Sequence, residues 1–275
     1  MSPHPAIAIV PVRTPTLPPA THTNVYVVGD GDLTVFDPAS PYEDEQGRLA
    51  AVLDERIDDG ERVERIVLTH HHLDHVSGAI ALQTHLMERH GVSVPIQAHP
   101  WTADHVAAEV AETLDDGDAL ACGGRTLQVH HTPGHAPGHL VFHDRDSGAM
   151  IAGDMVAGIG TILIEPGDGD LEKYLDSLAH MAELAPEALL PAHGPVLPHG
   201  VAVLGMYIAH RHQRTDQIRE ALDKVGRATP MQLVPHVYPQ LPAVAHPLGA
   251  TQITSHLHWM RDRGLARAVD GGWAR

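Results

Sequence analysis

The feature that most constrains this chain is the stretch 69–75, Thr-His-His-His-Leu-Asp-His, which contains the pattern His-x-His-x-Asp-His. It follows a short apolar run that is typical of a buried strand. Three imidazoles and one carboxylate so close together cannot all reach one ion from a regular helix or strand, but on a loop they can divide between two. We therefore predict that His70 and His72 face one metal ion and that Asp74 and His75 face a second. The alternative is a His-rich surface loop in a chain that contains 24 histidines.

The composition excludes several classes of protein. With 275 residues, 43 % of them hydrophobic, the chain can form one large domain or a large domain with a small one. It has no run of 18 apolar residues, so we expect no membrane span. The first residues lack the basic and apolar regions of a secretory signal. The single Cys122 excludes an internal disulfide and a Cys-rich metal site and fits a reducing compartment, so we expect a cytoplasmic protein.

The charge is strongly negative but unevenly distributed. Residues 1–200 contain 9 Lys and Arg against 30 Asp and Glu, a net charge of −21, whereas residues 201–275 contain 9 against 5, a net charge of +4. A strongly acidic surface repels nucleic acid at long range. The basic C-terminal part could be a local exception, or its charges could simply form a solvated helix face.

Strands and helices alternate through the first 200 residues. Predicted strands cover 24–28, 33–36, 65–68, 94–98, 126–129, 140–142, 150–154 and 188–191, and predicted helices cover 47–57, 77–89, 103–110 and 171–184. The first two strands flank Gly-Asp-Gly-Asp, which is a hairpin signature, and the Pro-rich residues 1–20 indicate an extended edge segment. Polar residues gather at strand ends, as in an α/β domain whose site lies on loops at one edge of its sheets. We assign this domain to residues 1–200.

Helices dominate from residue 201 onwards. Helices are predicted over 201–225 and 251–263. Between them, a further helix is predicted to begin with a capping box formed by Thr229 and Gln232. A small hairpin is predicted within 265–273. Three helices followed by a hairpin are typical of a winged-helix module, which we assign to residues 201–275.

Three further motifs could supply metal ligands. A second His-rich cluster, 130–139, places His135 on a turn rich in Gly and Pro. Asp154 follows a Gly at the end of one predicted strand, and His193 precedes a Gly after another. Taken singly, each motif fits a structural turn as well as a site, so the information lies in the order of the four motifs.

That order resembles the metallo-β-lactamase superfamily over residues 20–200. The resemblance implies an αββα sandwich fold with two metal ions. It implies that His70, His72 and His135 bind the first ion, that Asp74, His75 and His193 bind the second, and that Asp154 bridges both. The resemblance also matches His139 to a recurrent outer histidine, which would orient a ligand loop or serve the fold alone.

Features that the chain lacks narrow the branch of this superfamily. The best-known zinc β-lactamases use a Cys ligand where this chain has Asp154, and Cys122 lies far from that place. The nuclease branch carries a large insertion where this chain has a step of only 39 positions from Asp154 to His193. The flavo-di-iron branch has Glu in place of His72. The remaining branch contains glyoxalase II-like thioesterases, lactonases, polyketide thioesterases and the β-lactamase-like protein 2 family.

The chain most closely resembles the β-lactamase-like protein 2 family, through segments 160–178, 189–195 and 207–218 and a winged-helix-like tail. That family includes an animal endoribonuclease acting on single-stranded RNA and fungal relatives that release polyketides from acyl carrier protein. The resemblance therefore implies a hydrolase but leaves its substrate open.

Two functions follow as expectations. The first is hydrolysis of an ester, thioester or lactone of a small or carrier-bound acyl group by a hydroxide held between two metal ions, with Asp74 also handling a proton. The second is metal-dependent cleavage of single-stranded RNA, favoured by the basic tail. RNA would then dock on the third helix of the winged-helix module, whose predicted polar face consists of Thr251, Gln252, Ser255, His258 and Arg261.

Three points remain open at this level. His and Asp ligands serve several metals, so Zn²⁺ is the expected ion, with iron and manganese as alternatives. The tail could pack over the site as a lid or form a dimer surface. The sequence does not determine the oligomeric state.

Overall fold

Two six-stranded β-sheets form the centre of the computed structural model, which describes residues 6–275. The first sheet consists, in spatial order, of β1 (Ile7–Arg13), β2 (His22–Val28), β3 (Asp32–Phe36), β4 (Arg62–Val67), β5 (Ile96–Ala98) and β6 (Glu112–Thr113). Neighbouring strands are antiparallel from β1 to β3 and parallel from β3 to β6. Parallel strands end at the same edge of a sheet, so the loops after β3 and β4 lie side by side.

The second sheet consists of β7 (Ala119–Cys122), β8 (Arg125–His131), β9 (Leu140–Asp144), β10 (Ala149–Gly153), β11 (Ala188–Pro191) and β12 (Leu197–Pro198), again in spatial order. All pairs are antiparallel except β10 and β11, which are parallel. Because β10 and β11 are parallel, the residues that follow them, including Asp154 and His193, leave the sheet at one edge.

Helices cover the outer face of each sheet. Of α1 (Glu43–Asp58), α2 (Leu73–Val76), α3 (Ala79–His90), α4 (Pro100–Ala103) and α5 (Leu171–Glu183), the long helices α1, α3 and α5 do so, whereas α2 and α4 are single turns. On β2, Val25 and Val27 pack into the core that α1 and α3 share, whereas Tyr26 and Val28 face the second sheet, as the period of a strand requires. A third core lies between the second sheet and α5. The layers are therefore αββα, as predicted.

The C-terminal part contains three helices and a small sheet. They are α6 (Gly200–Val225), α7 (Pro230–Val237) and α8 (His246–Asp262), with β13 (Arg227–Ala228), β14 (Arg267–Val269) and β15 (Gly272–Ala274). Leu204, near the start of α6, packs into the core next to α5, while Ile218 and Leu222 pack into the C-terminal core. The predicted boundary after residue 200 thus falls at the first residue of a helix that joins both cores, and it remains a prediction.

The polar face predicted on the third C-terminal helix is not fully accessible. Gln252 and Ser255 of α8 are buried, and both donate hydrogen bonds to the carbonyl oxygen of Ile164, which lies within residues 1–200. Arg261 is exposed. The prediction that these residues form one open docking face is wrong, because α8 packs Gln252 and Ser255 against residues 1–200 instead of presenting them to solvent.

The local elements follow the predictions in part. The hairpin predicted from strands 24–28 and 33–36 is confirmed by the antiparallel pairing of β2 and β3. The helix predicted over 103–110 is wrong, since α4 starts at Pro100 and ends at Ala103. The chain must then return to the sheet, where the Ala111 amide donates to the carbonyl of Ile96 at 2.9 Å. Of the Pro-rich segment, residues 7–13 form the expected edge strand, and residues 1–5 lie outside the described part.

In the part of the chain that the structure describes, every helix is too short or too polar to cross a lipid bilayer.

We predict that Leu257→Ala lowers the free energy of unfolding by about 2–5 kcal/mol, because the side chain is fully buried in the C-terminal core and its removal leaves a cavity. Val244→Ala is the control, since Val244 is 89 % exposed and should change stability by less than about 0.5 kcal/mol. Urea titration followed by circular dichroism measures both. Equal effects of the two substitutions would contradict the packing described for α8.

Candidate metal centre

The predicted metal-binding loop leaves the end of β4 and enters α2. Thr69 and His70 are buried, and His72 is the residue that precedes the first turn of α2. Asp74 and His75 then lie within this short helix, whereas His70 lies in the loop before it. The change from extended loop to helix is what divides the four side chains between two directions, as the sequence predicted.

His70, His72 and His135 form the first group. The Nδ1 atom of His72 lies 3.1 Å from Nε2 of His70 and 3.0 Å from Nε2 of His135. Zn–N bonds are about 2.0–2.1 Å long, so two nitrogens on one tetrahedral ion lie about 3.3 Å apart. The spacing of the three nitrogens therefore fits a single ion.

The outer hydrogen bond of each imidazole determines which ring nitrogen keeps its lone pair. His135 Nδ1 donates to the carbonyl oxygen of Leu163 at 2.8 Å. His72 Nε2 donates to Oδ2 of Asp168 at 2.8 Å, and His70 Nδ1 donates to the Thr69 hydroxyl at 3.0 Å. In each ring the other nitrogen is left as an acceptor, and all three acceptors face the same point.

Gly134 holds His135 in place. Its φ of +136° is in a region that favours glycine, and a Cβ there would lie 2.2 Å from the backbone nitrogen of Tyr174. The Gly134 carbonyl also accepts a hydrogen bond from the backbone amide of Asp170, the residue that caps the N-terminus of α5. The turn carrying His135 is thus pressed against the start of α5, which fixes the direction of the imidazole.

Asp74, His75 and His193 form the second group, and Asp154 lies between the groups. His193 Nε2 is 3.5 Å from Oδ2 of Asp74 and 3.4 Å from Oδ1 of Asp154. The other carboxylate oxygen of Asp154 is 3.5 Å from His135 Nε2, in the first group. Asp154 thus presents one oxygen to each group, which is the arrangement expected of a bridging carboxylate.

The centre contains polar atoms that need a partner. His75 Nε2 and Asp154 Oδ1 are buried, lie 3.6 Å apart, and have no hydrogen-bond partner within residues 6–275. Leaving such atoms unpaired in the interior is costly. A metal ion between them would satisfy both, so the residues present fit the dinuclear centre that the sequence predicted.

Asp37 is a functional residue that sequence analysis missed. It follows β3 with a φ of +49° and accepts three hydrogen bonds: from the Thr69 amide, from the Thr69 hydroxyl and from His75 Nδ1, at 2.7, 2.7 and 2.8 Å. These bonds tie the metal-binding loop to the neighbouring strand and direct His75 Nε2 inwards. A polar residue at a strand end next to β4 was the available signal.

Asp168 and His139 also act through their neighbours. Asp168 orients His72 from a loop whose sequence gave no signal. His139 Nε2 accepts a hydrogen bond from the backbone amide of Asp154 at 3.1 Å, while its Nδ1 donates one to the Thr132 hydroxyl at 3.0 Å. The predicted outer role of His139 is therefore to position the backbone of Asp154.

Burial and charge set the protonation of the centre. Burial, with neighbouring imidazoles, holds the pKa of His70 well below its usual range, and burial lowers the pKa of His135 to about 4. Both rings are neutral at pH 7, the form that binds metal. Burial would lower the pKa of His75 as well, but the carboxylates of Asp37 and Asp154 outweigh it and raise that pKa. Two carboxylates that favour a proton at this ring also favour a metal cation.

A cavity of about 790 Å³ opens onto the centre. Five of the seven predicted ligands line it: His72, Asp74, His135, Asp154 and His193. The other walls are mainly apolar and come from three parts of the chain, namely 15–20, 157–165 and the C-terminal helices. The C-terminal part contributes Tyr238, Leu241, Ala245 and Leu248, so it packs next to the site and forms part of the cavity wall.

Comparison with known proteins agrees with this geometry. The model of the metallo-beta-lactamase superfamily matches residues 18–193, and the chain belongs to that superfamily. The model of the beta-lactamase associated winged helix domain matches residues 229–273. The protein is thus a metal-dependent hydrolase of this superfamily, with a metal site of His and Asp side chains and a C-terminal winged-helix domain.

Individual relatives add detail. A beta-lactamase-like protein 2 homolog of Caenorhabditis elegans is 30 % identical over 80 % of this chain and 72 % of its own length. An atrochrysone carboxyl ACP thioesterase of Aspergillus fumigatus is 27 % identical over 80 % of this chain and 70 % of its own. A beta-lactamase domain protein of Burkholderia ambifaria has a similar fold, with a TM-score of 0.85, 22 % identity, and coverage of 99 % of this chain and 92 % of that one.

We predict that Asp37→Asn weakens metal binding by about 10–100-fold, the usual effect of removing a partner that orients a metal-binding histidine. The amide keeps the shape of the side chain, but an amide nitrogen in place of Oδ2 cannot accept the hydrogen bond that His75 Nδ1 donates. Chelator competition measures the affinity, with Asp32→Asn on the same strand as the control. Unchanged affinity in Asp37→Asn would show that His75 does not depend on this carboxylate.

Proposed function

We propose that this protein hydrolyses an ester, thioester or lactone of a small or carrier-bound acyl group. The observation that carries the proposal is the cavity, because its apolar walls lead directly to the side chains of the metal centre. Leu17, Pro18, Ile159, Leu163 and Leu248 are among the residues that line it. Burying apolar surface of a substrate against such walls gains about 25 cal/mol per Å², so an acyl chain is a better match than a sugar–phosphate backbone.

Charge supports the same choice. The part of the chain that carries the metal centre, residues 1–200, has a net charge of −21, which opposes the approach of a polyanion. The accessible polar face expected to bind RNA is partly buried. The thioesterase among the relatives is a further argument for acyl chemistry.

The side chains have distinct tasks in this proposal. His70, His72 and His135 would hold one ion, Asp74, His75 and His193 a second, and Asp154 would lie between the ions. When bound, two divalent ions, with zinc expected and iron or manganese as alternatives, supply a water that is reactive at neutral pH and a positive charge for the substrate oxygen. The apolar walls exclude bulk water and hold the acyl group so that its carbonyl carbon lies at the centre.

Asp74 has a second task. Its side chain lines the cavity, whereas His70 and His75 are fully buried behind it. A carboxylate that reaches both the centre and the substrate space can accept a proton from the attacking water and return it to the leaving group. We therefore assign Asp74 as the residue that moves the proton.

The test is a substrate panel with metal-analysed protein: acyl thioesters, esters and lactones beside a labelled single-stranded RNA. We expect acyl hydrolysis and intact RNA. His72→Ala should reduce the activity by more than about a hundredfold, since even outer partners of metal ligands are worth about 10–100-fold. His212→Ala, at an exposed histidine of α6, is the control and should retain activity. RNA cleavage that is lost in His72→Ala, without acyl hydrolysis, would refute the proposal.

Asp74→Asn tests the proton role. Asparagine keeps an oxygen donor but cannot take up a proton, so we expect metal content to be retained while kcat falls by about 10²–10⁴-fold, the usual range for general acid–base catalysis. Metal analysis and steady-state kinetics are measured on the same preparation. Retained metal with turnover near that of the unchanged protein would rule out the proton role and leave Asp74 as a ligand alone.

A further inference from the structure

Two arginines of α6, Arg211 and Arg214, line the cavity at the side built by the C-terminal domain. We propose that they form a binding site for an anionic group, a carboxylate or a phosphate, that the substrate carries outside its scissile bond. This inference rests on the proposed acyl hydrolase and narrows its substrate to acyl compounds with a negative charge at a distance from the reacting carbonyl.

Arg211 is a buried cation whose hydrogen-bond partners are neutral. Its side chain is only 4 % exposed, and its Nη1 and Nη2 atoms donate to Gln252 Oε1 at 3.0 Å and to the carbonyl oxygen of Ile162 at 2.7 Å. The Nε atom is buried and has no partner within the described residues. The guanidinium also lies over the ring of Tyr174, 5.0 Å from its centroid. These contacts fix its position without supplying a negative charge.

Arg214 lies one turn further along α6 and is half-buried. Its Nη1 donates to Gln217 Oε1 at 2.8 Å and to the carbonyl oxygen of Val237 at 2.9 Å, and its guanidinium stacks over the ring of Tyr238 at 4.1 Å. Its Nη2 has a weaker contact, 3.5 Å, with Nε2 of His210, which also lines the cavity. Arg214 is thus held in place by neutral groups and still has donor capacity towards the cavity.

Neither arginine has a counter-ion among the residues that the structure describes. Within residues 6–275, no carboxylate oxygen lies within the 4.0 Å ion-pair distance of either guanidinium. Glu165 is the lining carboxylate outside the metal centre, and it too is beyond that distance. Most other arginines of this chain pair with a carboxylate, for example Arg263 with Glu172 at 2.9 Å.

Uncompensated cations beside an apolar cavity indicate a ligand that brings the missing charge. Removing a charge from water is unfavourable unless an opposite charge replaces the lost hydration. The planar guanidinium matches carboxylate and phosphate oxygens, to which it donates short charge-assisted hydrogen bonds. The anion and the reacting carbonyl would then occupy separate parts of one cavity, with the apolar portion of the substrate between them.

The anion could come from either half of a thioester. A phosphate would belong to the thiol that leaves, as in a phosphopantetheine thioester, whereas a carboxylate would belong to a dicarboxylic acyl group. Three probes separate the sources: hexanoyl phosphopantetheine, the adipoyl monothioester of N-acetylcysteamine, and hexanoyl N-acetylcysteamine as the neutral reference.

We expect the metal-loaded protein to favour one anionic thioester over the neutral reference in kcat/KM, chiefly through KM. Arg214→Gln should reduce this preference about tenfold, the usual size of one charge-assisted hydrogen bond. Arg214→Lys, which keeps the charge, should restore part of it. Arg219→Gln is the matched control, because Arg219 is on the same helix, pairs with Asp216 at 2.9 Å and does not line the cavity.

A binding measurement separates this inference from the proposed function. Calorimetric titration compares the affinity for pantetheine 4′-phosphate with that for pantetheine, and the affinity for adipate with that for hexanamide. Both comparisons are made in the unchanged and Arg214→Gln proteins. Arg214-dependent binding of either anion supports the inference even if no thioester, ester or lactone is hydrolysed, an outcome that would refute the proposed function alone. The inference is overturned if the unchanged protein shows no preference for either anion, or if Arg214→Gln affects neutral and anionic probes equally.

Discussion

The arrangement of the metal centre depends on one kind of interaction, the outer hydrogen bond of each buried imidazole. His70, His135 and His193 donate their Nδ1 protons to the Thr69 hydroxyl and to the carbonyl oxygens of Leu163 and His22. His72 and His75 donate to Asp168 and Asp37. Each bond places a proton on the outer nitrogen, so that in the neutral ring the opposite nitrogen carries the lone pair, and five such nitrogens lie around a small volume. In the neutral form that binds metal, the imidazoles of each group would be stabilised by a cation that they share.

The two sheets supply the positions from which those bonds are made. Parallel pairing of β3 with β4 places Asp37 beside the metal-binding loop, and parallel pairing of β10 with β11 brings Asp154 and His193 to one edge. Residues of α6 and of the winged-helix domain then line the cavity, and the side chains of α6 take part in two hydrophobic cores. The same contacts that bury part of α8 place two arginines beside the substrate space, so the domain has a direct role in shaping the cavity.

Much of the catalytic part could be predicted from the sequence. The His-rich loop, the second His cluster and the two strand-end motifs carry dense local signals, and the alternating strands and helices indicated the α/β class. Short elements were harder, because an edge strand such as β6 exists only through pairing with its neighbour. Asp168 could not be found either, since it lies 96 positions after His72 in the sequence and only the fold places it opposite that residue. The accessible face expected on α8 was wrong because amphipathic spacing does not reveal which partner a helix packs against.

The sequence by itself determined the chemistry of this protein: the residue types of the metal centre, their order along the chain, and the acidic character of the part that carries them. Only the tertiary structure decided which lone pairs meet, which carboxylates orient them, and that a largely apolar cavity lies in front of the centre, bordered by two arginines without a counter-ion in residues 6–275. The physical reason is that residue types and local spacing are properties of the chain. Distances between strand ends, burial and the pairing of charges arise only when distant segments pack together.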